Sequence, residues 1–90
     1  MADIENVEAI KREISSIERA IGPYEYYSYD AGVALEILRE IKEILSDPEK
    51  ADLSKVRKKV ETLSDLAERY RGYPEVEGAI RHLDNLKKLL

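Results

Sequence analysis

Tyrosine is the residue type in this chain whose positions best suit recognition chemistry. Four tyrosines fall within residues 22–30 and a fifth directly precedes a proline, giving the set Tyr24, Tyr26, Tyr27, Tyr29 and Tyr73. Each side chain offers a large, rigid contact area and a hydroxyl group at low loss of conformational entropy. The same side chains are equally suited to close the open end of a hydrophobic core. We therefore predict that these five residues form either a binding surface or a structural cap.

Groups suited to catalysis or metal binding are sparse. His82 is the only histidine, cysteine is absent, and the residues one helical turn from His82 are Gly78, Ala79, Asn85 and Leu86. The Glu-x-x-His spacing of di-metal helical bundles is missing because Ala79 stands where the glutamate would be. The chain also lacks a glycine-rich phosphate loop, a nucleophile elbow and a zinc signature. We predict a non-enzymatic protein with no cofactor, no catalytic residue and no metal site.

Charge is distributed unevenly between two neighbouring segments. Residues 53–72 carry six basic and three acidic groups, whereas residues 24–52 carry three basic and eight acidic groups. Pairing between adjacent helices accounts for this pattern, and a nucleic-acid or anionic-lipid patch at residues 55–59 is the alternative. The net charge of −4 and the interleaved acidic residues argue against that alternative. We expect no nucleic acid partner and no membrane partner.

Length and composition favour one intracellular domain. Ninety residues suit a single core, so we assign residues 1–90 to one domain. The absence of cysteine fits a reducing compartment, and the acidic N-terminus lacks the features of a signal peptide. No apolar run approaches the roughly 18 residues of a membrane span. We expect a cytoplasmic monomer, with a homodimer as the alternative if two apolar ends meet.

Hydrophobic periodicity predicts four amphipathic helices. Apolar residues recur at alternating steps of three and four along residues 4–21, 34–45, 53–70 and 76–90. Because short connections force neighbouring helices to run in opposite directions, we predict an all-α, antiparallel up-down-up-down four-helix bundle. A three-helix bundle with an extra docked helix is the alternative.

Local signals mark where the helices begin. Asp3 and Asp52 are expected N-caps of the first and third helices, and Asp30 is preferred over Ser28 for the second. Pro74 is suited to the first turn of the fourth helix. These signals leave residues 22–30 and the short connection at Gly72 and Tyr73 as the two tyrosine-containing breaks, and they place Tyr70 on the last turn of the third helix.

The predicted topology brings these two breaks to the same end of the bundle. We call that end, formed by residues 22–30 and 70–73, the tyrosine pole. If the first break is extended, Tyr24 and Tyr26 lie on one side and Tyr27 and Tyr29 on the other. One pair would then cover the core while the other pair binds. We predict a helical scaffold that binds a protein through residues 22–30, or else a stable scaffold without a ligand whose tyrosines only cap the core.

The composition carries a further resemblance. Charged residues make up 38% of the chain, Ile and Leu fill the core positions, and Phe, Trp, Cys and Gln are absent. In its caps and aliphatic heptads the chain resembles computationally designed or redesigned helical bundles, and helical domains of thermophiles share this composition. The resemblance implies a thermostable scaffold. Gly78, inside a predicted helix, and the tyrosine-rich break depart from it.

Overall fold

The computed structural model describes residues 4–90 and, over that range, contains four α-helices and one short 3₁₀ helix. The α-helices are α1 (Ile4–Ile21), α2 (Tyr29–Ile44), α3 (Leu53–Glu68) and α4 (Pro74–Leu89), and the 3₁₀ helix (Gly22–Tyr24) follows α1 directly. Each helix packs against the one before it, and α4 closes the bundle against α1. The prediction of an antiparallel up-down-up-down four-helix bundle is confirmed.

The core is built from the apolar stripes that predicted the helices. Ile10, Ile14, Leu38, Ile41 and Leu86 are among the side chains with no accessible surface. Full burial of one such side chain stabilises the folded state by about 1.5–3 kcal/mol. A continuous aliphatic core therefore runs along the bundle axis from one end of the molecule towards the other.

Two of the predicted caps can be compared with the structure. Asp52 caps α3, accepting hydrogen bonds from the backbone N–H groups of Ser54 and Lys55 at 3.0 and 3.3 Å. Hydrogen bonds from Ser54 and Lys55 lower the pKa of the Asp52 carboxyl below its usual value. The preference for Asp30 as the cap of α2 is wrong, because Ser28 occupies that position and accepts from the Ala31 N–H at 3.2 Å. The proposed cap Asp3 lies outside the described residues.

The connection between α3 and α4 is a tight turn. Gly72 adopts a φ of 99°, in the left-handed region that favours glycine. The N–H of Tyr73 donates to the carbonyl of Tyr70 at 3.0 Å, and Pro74 opens α4 in the predicted position. This turn returns the chain beside α3 and places Tyr70 and Tyr73 at the same end of the bundle.

Side-chain pairs cross between neighbouring helices on the bundle surface. Lys42 of α2 pairs with Glu18 of α1. Lys59 of α3 contacts Glu40 of α2 at 2.5 Å, as the opposite charges of those two segments predict. Exposed pairs of this kind contribute only about 0–1 kcal/mol each. These ion pairs favour the observed arrangement of neighbouring helices, while burial of the core supplies most of the stability. Among the helices of residues 4–90, none has the length and apolar character needed to cross a membrane.

Candidate binding surface and cavity at the tyrosine pole

The fold brings the two tyrosine-containing breaks together. The Tyr70 hydroxyl donates a hydrogen bond to the Asp30 carboxylate in the first turn of α2. The rings of Tyr70 and Tyr73 lie 6.0 Å apart between centroids and are tilted by 57°. This separation and tilt fall in the range of favourable aromatic pairs. Tyr70, which joins both contacts, therefore links the second break to the first.

Backbone hydrogen bonds fold residues 22–28 into a compact turn. The N–H of Glu25 donates to the carbonyl of Gly22 at 3.1 Å, and the N–H groups of Tyr27 and Ser28 both donate to the carbonyl of Tyr24 at 3.0 Å. The Glu25 carboxylate also pairs with Arg39 of α2 at 3.6 Å. Because the segment is coiled rather than extended, the predicted alternation of tyrosine pairs does not occur.

The structure separates the tyrosines into three that are almost fully exposed and three that line a cavity at this end of the bundle. Tyr26, Tyr27 and Tyr29 are 92%, 86% and 86% exposed. Tyr24 is 37% exposed and, with Tyr70 and Tyr73, lines a cavity at this end of the bundle. The five residues predicted as a binding surface or a cap are thus divided: three are almost fully exposed, and Tyr24 and Tyr73, which keep 37% and 57% of their surface exposed, line the cavity.

The hydrogen bond between Tyr70 and Asp30 fixes the ionisation state of the phenol. The pKa of Tyr70 is raised above its usual value, first by the hydrogen bond to Asp30, then by burial and by the negative charge of that carboxylate. The Ser28 hydroxyl and the Arg69 guanidinium act in the opposite direction, and Arg69 lies 3.8 Å from Asp30. At neutral pH the Tyr70 hydroxyl is therefore a neutral hydrogen-bond donor.

A cavity of about 480 Å³ lies beneath the tyrosines and opens to solvent. All four helices contribute apolar walls, among them Ile21 of α1, Leu63 of α3 and Ile80 of α4. Alanines line it where larger side chains would fill the space, namely Ala31, Ala34, Ala67 and Ala79. Because these alanines belong to three different helices, sequence periodicity along any one helix does not reveal the cavity.

Polar groups collect at the mouth of the cavity. Ser28, Asp30 and Glu75 line it together with the hydroxyl-bearing side chains of Tyr24, Tyr70 and Tyr73. An apolar pocket with a few convergent polar groups is the usual form of a small-molecule site. The pole thus presents an outer aromatic surface and an inner apolar cavity.

His82 has a partner that the sequence did not reveal. Its Nδ1 atom lies 2.7 Å from Oε2 of Glu13, so the pair joins α4 to α1 across 69 positions of sequence. Because Glu13 lies on another helix, the residues one turn away from His82 in the sequence do not reveal it. The pair gives His82 a structural contact between two helices. Within residues 4–90 there is no cluster of three or more His, Cys, Asp or Glu side chains arranged to hold a metal ion.

Comparison with protein-family models, with curated proteins and with solved structures finds no match for this chain. A function must therefore be inferred from the geometry of the tyrosine pole.

Proposed function

We propose that this chain is a non-enzymatic helical module that binds a protein partner through residues 22–30. The observation that carries the proposal is the exposure of Tyr26, Tyr27 and Tyr29, each at 86% or more; the first two lie on the hydrogen-bonded turn and Tyr29 is the first residue of α2. Full burial of a large apolar side chain is worth about 1.5–3 kcal/mol. The folded chain does not gain that energy at these three positions, whereas a complex would.

The exposed rings offer enough area for a specific contact. A tyrosine buries about 150–250 Å² when it is covered, so three of them supply roughly 450–750 Å². A standard protein interface buries about 800 Å² on each partner. The three tyrosines would therefore form most of one side of such an interface, and the neighbouring polar residues would form its rim.

The rigidity of the turn supports the same proposal. Binding is weakened when a loop must become ordered in the complex, and a loop held in place beforehand avoids much of that loss. Here the carbonyl of Tyr24 accepts two backbone hydrogen bonds, and the exposed Glu25–Arg39 ion pair adds a weaker contact between the turn and α2. Tyrosine side chains add little further entropy loss because each has only two rotatable angles.

Charge around the pole points to a partner with a basic surface. Glu25 and Asp30 flank the exposed tyrosines but already lie beside Arg39 and Arg69, whereas the first turn of α4 adds Glu75 and Glu77. Arginine or lysine side chains of a partner would pair with Glu75 and Glu77 and stack on the tyrosine faces. We therefore propose a protein whose contact surface is rich in arginine or lysine.

The alternative is a scaffold without a ligand, in which the tyrosines only cap the core. The positions of Tyr24 and Tyr73 against the cavity favour that role for those two residues. The capping role does not extend to Tyr26, Tyr27 and Tyr29, because their exposure leaves them little contact with the core. The two roles are thus assigned to different tyrosines.

Site-specific photo-crosslinking tests the proposal. Benzoylphenylalanine replaces Tyr27 in one variant and Ser46, an exposed residue in the α2–α3 connection, in a control. We expect a basic protein to crosslink to position 27 and not to position 46. After purification of that protein, calorimetry should show at least 100-fold weaker binding by Y26S/Y27S/Y29S. The control variant D47S/E49S/K50S, changed at three exposed positions, should bind like the parent.

Two outcomes would contradict the proposal. Equal crosslinking from positions 27 and 46, or unchanged affinity of the triple tyrosine variant, would leave the scaffold without a ligand as the better account.

Crosslinking of the chain to itself would identify the partner as a second copy. Sedimentation of the parent as a dimer, and of Y26S/Y27S/Y29S as a monomer, would establish that case.

A further inference from the structure

We propose that the cavity beneath the tyrosine pole binds a hydrophobic small molecule that carries a neutral or cationic hydrogen-bond donor. The inference goes beyond the proposed protein contact because it uses the interior of the pole, whereas the protein contact uses Tyr26, Tyr27 and Tyr29 on its outside. Neither Tyr26 nor Tyr27 nor Tyr29 lines the cavity. The two functions can therefore be separated by mutation.

The cavity has the volume of a ligand site. Its approximately 480 Å³ falls within the range of about 300–1,000 Å³ that is typical of small-molecule pockets. An apolar cavity of about 150 Å³ is already large enough to bind benzene. The space here is roughly three times that size, which suits an apolar body of two or three fused or linked rings.

Small residues create this volume. Ala31, Ala34, Ala67 and Ala79 face the cavity from three helices, whereas Leu38, Ile41 and Leu86 fill the core elsewhere in the bundle. Protein interiors are packed to about 0.74 of their volume, with few voids larger than a water molecule. Leucine at one of these alanine positions would fill part of the space and is an equally good core residue. The cavity thus lies where small side chains of three helices meet.

The mouth of the cavity selects the polar group of the ligand. Asp30 and Glu75 are carboxylates, which only accept hydrogen bonds when ionised, and the Tyr70 hydroxyl already donates to Asp30. Arg69 lies 3.8 Å from Asp30, so one of the two negative charges has a positive neighbour. The other hydroxyls at the mouth can donate or accept, so the negative charge of Glu75 sets the preference, which is for a donor such as a hydroxyl, an aryl amine or an ammonium group. A ligand with a carboxylate or sulfonate would be repelled.

Aromatic side chains frame the entrance. Tyr24 and Tyr73 are 37% and 57% exposed and line the cavity from opposite breaks of the chain. Their rings offer faces for stacking against an aromatic ligand. The site therefore combines an aliphatic interior, aromatic edges and an acidic mouth.

Two matched fluorescent probes test this site. N-phenylnaphthylamine is a neutral three-ring amine, and anilinonaphthalene sulfonate is the same molecule with an added sulfonate. In titrations of the full chain, we expect the amine to bind saturably at one molecule per chain and at least tenfold more tightly than the sulfonate. The variant Ala67→Leu should weaken binding of the amine at least tenfold. Ala9→Leu is the control, since Ala9 is a half-buried alanine outside the cavity.

The measurements distinguish a loss of folding, a loss of protein binding and a loss of ligand binding. Circular dichroism and Tm establish that Ala67→Leu is folded, and Ala31→Leu replaces it if it is not. Y26S/Y27S/Y29S should bind the amine like the parent even where it has lost its protein partner. The proposal is overturned if the amine does not saturate, if a folded Ala67→Leu variant binds it with parental affinity, or if Y26S/Y27S/Y29S loses it. Equal affinity for the sulfonate would overturn the assigned ligand class.

Discussion

The Tyr70 hydroxyl donates a hydrogen bond to the Asp30 carboxylate, and the two residues are 40 positions apart in the sequence. Tyr70 lies two residues beyond the end of α3 at Glu68, and Asp30 lies in the first turn of α2. The bond therefore joins the two breaks of the chain at the point where they meet. It also sets one wall of the cavity mouth, because both residues line it.

This hydrogen bond predicts a pH dependence of stability at alkaline pH. The folded-state pKa of Tyr70 is raised, so its contribution is fully present below the unfolded-state pKa of about 10 and is lost as the pH rises through the folded-state value. We expect the parent to have a higher Tm than Tyr70→Phe at pH 7 and the difference to shrink above pH 10. Melting curves of both proteins from pH 7 to pH 11 measure it.

The phenolate absorbance provides the control for that prediction. The parent should show a titration step above the usual tyrosine value that is missing from Tyr70→Phe, and Asp30→Asn should move the step to lower pH because it removes the negative charge. A Tm difference that stays constant across this pH range would show that Tyr70 stabilises the fold by packing alone.

Sequence reasoning was most successful where the deciding interactions are local. The periodic apolar residues predicted the helices and most of the core because burial on one side of a helix repeats every three to four residues. Asp52 was identified as a cap because its acceptor bonds reach only two and three residues ahead. Both predictions depend on interactions within one helix.

Where the sequence misled, contacts between distant segments decide the structure. Asp30 looked like a helix cap but binds Tyr70, and Ser28 takes the cap position. The tyrosine segment folds into a turn instead of extending, which exposes three rings on one end. The cavity arises only where alanines of separate helices meet, a relationship that no local pattern encodes.

The corrected cap of α2 can be tested by substitution. Ser28→Ala removes the acceptor for the Ala31 N–H and should lower stability by about 1 kcal/mol, as for other serine caps. For a domain of this size, that corresponds to a Tm decrease of roughly 4–8 °C. Ser28→Asp restores an acceptor and a favourable charge at the helix N-terminus, so most of the loss should be recovered. If Ser28→Asp is as unstable as Ser28→Ala, the loss arises from contacts of Ser28 at the cavity mouth instead.

Two glycines should respond in opposite ways to the same change. Gly78 lies within α4 with open space around the position of a β-carbon, so Gly78→Ala should stabilise the protein by about 0.5–1 kcal/mol. Gly72 has equally open surroundings but a φ of 99°, so Gly72→Ala should destabilise it through backbone strain. Urea unfolding of the two variants measures both effects. Destabilisation by Gly78→Ala would contradict the open surroundings of this position.

The exposed and the cavity-lining tyrosines should differ in their effect on thermal stability. Y26S/Y27S/Y29S removes rings that are at least 86% exposed, so its Tm should stay within a few degrees of the parent. Adding Tyr24→Ser removes a ring that is 37% exposed and should lower stability by about 1–2 kcal/mol, or roughly 4–15 °C in Tm. Tyr24→Phe is the control, because it keeps the ring and loses only the hydroxyl. A Tm decrease of about 15 °C in the triple variant would assign all of these tyrosines to the core cap. It would also remove the support for a protein contact at residues 22–30, because rings that stabilise the isolated fold need no partner to explain them.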